Sequence, residues 1–168
     1  MIEITQANTD IQLEQVRNLK RAYQAWQKQT YNDRLDLVEK YFDPTAFEAE
    51  LASLPGKFAP PSGRLLLAHY DGIPAGTVAL RDIGKQICEM KSMFVESQYL
   101  GKGIGRALTE AIIQEARIIG YTKMRLDTGP RQVAAQTLYR SLGFREIKPY
   151  YELPQELAEN VLFMELTL

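Results

Sequence analysis

The 168-residue sequence contains one cysteine, Cys88, and one histidine, His69. A lone cysteine excludes a disulfide within the chain. One Cys and one His cannot build a zinc site of the usual Cys/His type, so no metal is expected. A Ser-His-Asp hydrolase would have to use His69 as its base, and no G-x-S-x-G elbow accompanies it. No apolar run approaches the roughly 18 residues of a membrane span. The first residues, MIEITQANTDIQLEQV, lack the basic start and apolar stretch of a secretory leader. A cytoplasmic location without a membrane partner is therefore expected. Neither sign of charge dominates: 20 Lys+Arg face 21 Asp+Glu. The basic excess of a nucleic-acid binder is missing, and no nucleic-acid partner is expected. Repeats and low-complexity tracts are also missing.

What is present is ordinary globular composition, 45% hydrophobic and 24% charged, enough to bury one core without staples. A single domain over residues 1–168 is expected. A short strand, Ile2–Gln6, precedes a helix over Asn8–Thr30. There Ile11, Leu13, Val16, Leu19, Tyr23 and Trp26 recur mostly at three- and four-residue spacing. Pro44 suits the first turn of a second helix running to Leu54. Lys57–Gly63, rich in proline, reads as a loop. From Arg64 the period changes. Arg64–Tyr70, Gly76–Ile83 and Gln86–Val95 read as strands, joined by turns at Asp71-Gly72 and Ile83-Gly84. A helix over Ile104–Ile119 ends at Gly120. A strand over Thr122–Thr128, a helix over Gln132–Leu142, and strands near Phe144–Leu153 and Val161–Leu168 complete the chain. The order implies an α+β fold with α/β-type layering: a mixed, mostly antiparallel sheet of about seven strands with helices on both faces.

The sharpest local feature is Gln98-Tyr99-Leu100-Gly101-Lys102-Gly103-Ile104-Gly105-Arg106, between a strand and a helix. Its glycines allow a tight turn and close approach to a ligand. The free N–H groups and dipole of the following helix favour an anion, and a diphosphate is the natural guest. Lys102 and Arg106 add positive charge. A Walker loop fails, because Gly103 follows Lys102 where Lys-Ser/Thr is needed. A dinucleotide fingerprint also fails at its third glycine, although Asp127 stands where a ribose-binding acid would.

The second half resembles the GNAT superfamily of acetyl-CoA-dependent N-acetyltransferases. The family loop [RQ]-x-x-G-x-[GA] is similar to the run from Leu100 to Gly105. The later family pattern N-x-x-A-x-x-L-Y-x-x-x-G-F is matched by Gln132, Ala135, Leu138, Tyr139, Gly143 and Phe144. With the preceding strand, these blocks cover about residues 86–145 in the family's order. The resemblance implies acetyl-CoA as cosubstrate and a small-molecule or peptide amine as acceptor. It implies cofactor contacts from Met93, Phe94 and Val95, from Gly101, Lys102, Gly103, Ile104, Gly105 and Arg106, and from Gln132. Leu100 stands where the family has Arg or Gln, with Gln98 as the nearby substitute. Gln132 stands where Asn is usual.

Acetylating an amine poses two proton problems. A lysine-like amine has a pKa near 10.4, so freeing its lone pair at pH 7 costs about 4.6 kcal/mol. The departing thiolate must also be neutralised. By the resemblance, Tyr139 is the acid that faces the sulfur. Glu89 is the candidate base or ammonium anchor, since some members carry a Glu four residues before the segment starting at Met93. Strand alternation puts Glu89, Lys91, Met93 and Val95 on one face, which pairs Glu89 with Lys91.

Other residues take structural readings. Cys88 reads as a small buried hydrophobe and His69 as a strand residue. Asp127 reads as a loop-orienting acid or the partner of an Arg. Trp26, Tyr31 and Tyr41 read as helix packing, and Tyr150, Tyr151 and Glu152 as candidates for the acceptor side. Two alternatives to an enzyme remain open at this level, a non-catalytic acyl-CoA sensor on the same fold and a dinucleotide-binding domain. A homodimer is neither required nor excluded.

Overall fold

The computed structural model describes all 168 residues. The chain opens with strand β1 (Ile2–Gln6), which leads into helix α1 (Asp10–Thr30). A capping box starts α1. The Thr9 hydroxyl accepts from Gln12 N–H, and the Gln12 side chain accepts from Thr9 N–H at 3.2 Å. Leu13, Val16 and Leu19 are buried, whereas Ile11 is 73% exposed and lies off the packed stripe expected to include it. A separate short helix, α2 (Leu35–Tyr41), follows; its seven residues are too few for a clear period. In α3 (Pro44–Ser53), Pro44 occupies the first turn and the Asp43 carboxylate caps the N–H groups of Thr45 and Ala46.

Strands β2 (Arg64–Tyr70), β3 (Ile73–Asp82) and β4 (Ile87–Val95) form an antiparallel meander. Helix α4 (Ile104–Ile119) then crosses to β5 (Lys123–Thr128), which pairs with β4 in parallel. Helix α5 (Val133–Ser141), strand β6 (Arg145–Ile147), helix α6 (Gln155–Ala158) and strand β7 (Leu162–Thr167) finish the chain. The sheet order is β1-β2-β3-β4-β5-β7-β6. The strand expected over Phe144–Leu153 stops at Ile147, because Pro149 has no N–H to continue a ladder. No helix is long and apolar enough to cross a membrane.

Both sheet faces are covered, and β2 shows how. Leu66 and Ala68 join a core with Ile104, Leu108, Ile112 and Ala116 of α4. The alternate residues Leu65 and Leu67 join Leu13, Val16 and Leu19 of α1 and Leu51 of α3. Each large apolar side chain so buried contributes about 1.5–3 kcal/mol.

Two departures from regular pairing open the sheet. Strands β4 and β5 pair only at Ile87↔Lys123, Cys88↔Met124 and Glu89↔Arg125. Beyond Glu89, β4 stays with β3 and β5 stays with β7, so the two strands part. The second departure is a bulge in β4. Ala79 pairs with Lys91 and Thr77 with Phe94, leaving Ser92 and Met93 opposite Val78 alone. Ser92 takes a left-handed conformation, φ 55°. Gly76 lies against the same segment, and a Cβ there would sit 2.8 Å from the Phe94 carbonyl oxygen and 3.0 Å from Leu108 Cδ1. Gly76→Ala should therefore lower stability by about 1–3 kcal/mol in urea unfolding; a wild-type midpoint would contradict this close approach.

Candidate active site

The loop before α4 leaves a cluster of backbone donors unused. The N–H groups of Gly101, Gly103, Ile104, Gly105 and Arg106 donate to nothing within the chain; the first helical bond comes from Ala107 to Gly103. Gly101 (φ 75°) and Gly103 (φ 83°) are left-handed. A Cβ at either would meet nothing within 4 Å, so their backbone conformation rather than space calls for glycine. These donors and the helix dipole favour an anion in front of α4. Lys102 pairs with no carboxylate, whereas Arg106 is held by Glu110 at 3.1 Å and the Ser141 hydroxyl at 3.1 Å. Leu100 is 63% exposed and adds no donor.

The bulge corrects the alternation expected along β4. Glu89 and Lys91 lie on the α1 side of the sheet, opposite Cys88 and Met90, which pack with α4. The extra residue then exchanges the faces. Met93 and Val95 pack with the α4 core, while Phe94 joins the α1 core against Tyr23, ring centroids 5.4 Å apart. Glu89 and Met93 are therefore on opposite faces, and strict period-two reasoning fails at Ser92.

A cavity of about 480 Å³ occupies the parting between β4 and β5. Its wall includes Tyr139 and Met93 from one side and Glu89, Lys91 and Tyr23 from the other. Tyr139 is buried against Phe144, and its hydroxyl has no hydrogen-bond partner in the chain. Burial drives the Tyr139 pKa well above the ordinary phenol value, with smaller contributions from Tyr23 and Asp127. The phenol therefore presents a proton rather than a charge.

Glu89 is 1% exposed, and both its oxygens are occupied. Oε1 accepts from Arg81 Nε at 2.8 Å and Oε2 from the Tyr150 hydroxyl at 2.6 Å. Arg81 is its direct cross-strand neighbour on β3. The expected pairing of Glu89 with Lys91 is thus replaced. Lys91 turns to Asp127 at 3.4 Å and to the Tyr41 hydroxyl at 3.2 Å. Asp127 also accepts from the hydroxyls of Tyr41 and Tyr151. Burial opposes a charge on Lys91, but Asp127 and then Glu89 outweigh it, and its pKa is raised. Tyr41, read as helix packing, is a wall residue of the cavity; Tyr150 and Tyr151 reach the two carboxylates from a segment that Phe163 holds against the sheet.

Gln132 is committed to its own loop. Its Oε1 accepts from Thr128 Oγ1 at 2.9 Å and Gly129 N–H at 2.6 Å, and its Nε2 donates to the Tyr23 hydroxyl at 3.1 Å. It shapes the turn between β5 and α5 while lining the cavity. Cys88 is fully buried, and burial pushes its thiol up to about 12, which suits a packing residue and not a thiolate nucleophile. His69 sits on β2, paired with Glu3 and Pro74.

Lys20 and Arg81 carry no signal in the sequence that ties them to the site. Lys20 lies on the buried stripe of α1 at a position where the apolar period would admit a hydrophobe. It is 1% exposed and donates to Ser92 Oγ at 2.9 Å and Glu50 at 3.2 Å. The sequence shows only a lysine adjacent to Leu19 in the middle of an amphipathic helix, which is ordinarily a rim position.

Comparison with known proteins places the chain among acetyltransferases. Residues 15–144 match the profile of the Acetyltransferase (GNAT) family. The chain belongs to that family, and its reaction is acetyl transfer. It is 37% identical over 121 residues to an uncharacterized N-acetyltransferase of Schizosaccharomyces pombe, covering 71% of this chain and 72% of that protein. It is 36% identical over 110 residues to rat N-acetylaspartate synthetase, covering 62% of this chain and 37% of the synthetase. The PaiA N-acetyltransferase of Thermoplasma acidophilum, solved in complex with coenzyme A, superposes with a TM-score of 0.72. That match covers 100% of this chain and 99% of the other at 18% identity, a likeness of fold.

Glu50 offers a test of the electrostatics on this wall. Burial pushes its carboxyl up, but Lys20 and Lys57 outweigh burial and the folded-state pKa is lowered. Such a group stabilises the fold above its unfolded value, near 4.5, and the contribution is lost as pH falls through the folded value. Glu50→Gln should remove part of the stability loss between about pH 5 and 3. An unchanged slope in acid unfolding curves would show that the pair contributes nothing.

Proposed function

We propose that the chain, as one catalytic domain over residues 1–168, binds acetyl-CoA across the parted strands. It would acetylate a primary amine of a small molecule or peptide by direct attack in a ternary complex. The observation that carries this reading is that the chain leaves two sets of donors unused, five N–H groups before α4 and the Tyr139 hydroxyl on the cavity wall, with Gly105 of that loop packed close to Met93 of the same wall. The diphosphate sits on the amides of Gly101, Gly103, Ile104, Gly105 and Arg106, with Lys102 adding charge. The pantetheine arm runs along the β4 edge at Met93–Val95, where β5 has withdrawn and backbone groups are free to pair with it. Gln132 supports the arm's wall through Thr128 and Gly129 rather than by direct contact.

The amine nitrogen attacks the thioester carbonyl carbon, a C–N bond forms, and the C–S bond breaks. The Tyr139 hydroxyl gives its proton to the departing sulfur. The ammonium first loses one proton to bulk solvent, which frees the lone pair for attack; the buried phenolate is costly, so it then takes up the second proton, released from the nitrogen as the amide forms, through solvent in the cavity. Glu89 acts as an anchor for the incoming ammonium rather than as a free base, because Arg81 and Tyr150 already donate to its two oxygens. A main-chain N–H of the β4 segment would serve as a one-donor site for the thioester oxygen; such a donor is worth roughly 3 kcal/mol.

Tyr139→Phe should lower kcat by roughly 10²-fold or more while calorimetry gives the wild-type Kd for coenzyme A. Wild-type turnover in that variant removes Tyr139 from the mechanism. If purified protein gives no binding heat with coenzyme A at millimolar concentration, the donor assignment fails as a whole.

A further inference from the structure

The charges on the cavity wall do not balance locally. Near the rim, Arg34, Lys40 and Arg131 each have a carboxylate of their own, in Asp36, Glu156 and Asp33. Asp43 caps α3. Deeper in, Arg81 pairs with Glu89 and Lys91 with Asp127. Lys20 and Lys57, however, share the single carboxylate of Glu50, at 3.2 and 3.1 Å. Both ammonium groups also lie over the Phe58 ring, at 5.1 and 5.3 Å from its centroid. One positive charge is therefore in excess at this end of the cavity.

The excess is costly where it sits. Lys20 is 1% exposed, and a buried ammonium needs compensation that an apolar side chain on α1 would not. Glu50 and the Ser92 hydroxyl take two of its three donor directions. Burial lowers the Lys20 pKa despite Glu50, and a further anion beside it would favour the charged form. Ser92 is the bulge residue, so the cationic corner adjoins the place where β4 meets the reacting end of the donor.

We propose that the acceptor is an amine that also carries a carboxylate, which seats between Lys20 and Lys57. This rests on the acetyl-transfer reading of the cavity and narrows it to an amino-acid-like substrate. The carboxylate supplies the second counter-charge that the two lysines lack. The amine then approaches the thioester from the Glu89 and Asp127 side. A diamine or polyamine would bring like charge to the Lys20 corner and be disfavoured.

The full-length protein should be assayed with acetyl-CoA and a panel of amino acids, their carboxamides, and putrescine. Loss of a charge-assisted hydrogen bond predicts that carboxylates are preferred over matched amides by roughly 10- to 100-fold in kcat/KM. Lys57→Ala, at a half-exposed position with little risk to folding, should abolish most of that preference and leave the KM for acetyl-CoA unchanged. Lys20→Met should do the same more strongly if it folds. A second readout needs no turnover: succinate should raise the Tm of the wild type and not of Lys57→Ala. Amides or putrescine used as well as the acids, or a succinate shift equal in wild type and variant, would overturn the proposal. Succinate binding that depends on Lys57, in a protein that fails to bind coenzyme A, would leave the anion subsite standing and remove the acetyl-transfer reading beneath it.

Discussion

After three pairs of residues, β4 and β5 stop hydrogen bonding to each other, and the rest of the site depends on that separation. A closed sheet would place two helical layers on opposite faces with nothing passing between them. The parting after Glu89 and Arg125 joins the α4 side, with its unpaired amides, to the α1 side, with its buried carboxylates. Each strand keeps its outer neighbour, β3 or β7, so the gap is held open from both sides without exposing a free-standing edge. The Ser92 bulge acts within the same gap by exchanging which side chains face which layer.

Buried charge is the second constraint. Two carboxylates, on Glu89 and Asp127, are held deep in the wall, which is tolerable only when each is paired and hydrogen-bonded. Arg81 and Tyr150 serve the first; Lys91, Tyr41 and Tyr151 serve the second. The donors come from β3, β4, α2 and the segment before α6, so the site is tied to nearly every element around it. Tyr139 is the contrast. Its hydroxyl is left without a partner beside two carboxylates that are fully hydrogen-bonded, which marks it as a group facing a ligand. The same bookkeeping singles out Lys20 and Lys57, which have one carboxylate between them.

Much of the fold was legible in the residues. The limits of β2 and α4 agree with the expected Arg64–Tyr70 and Ile104–Ile119, because glycine, proline and turn residues mark where one period ends and another begins. The glycine loop and the Leu138-Tyr139 block led to the family that the profile match supports. The misses have local causes. Helix α2 is too short for periodicity to register. The strand expected over Phe144–Leu153 runs across Pro149, which periodicity does not register, and ends at Ile147. The predicted face shared by Glu89 and Met93 assumed a regular pleat, and one inserted residue reversed it. The roles of Arg81 and Lys20 were invisible because their partners lie on other elements, with Ser92 as many as 72 positions from Lys20.

The order of elements, the two-sided core and the phosphate-type loop were thus determined by the sequence alone, since each follows from side-chain period and backbone freedom over a few neighbouring residues. Which carboxylate meets which cation, where the sheet opens, and which face Met93 takes were decided only in the tertiary structure. Those outcomes depend on register and on pairings between distant segments, and a single bulge changes them without leaving a mark in composition or spacing.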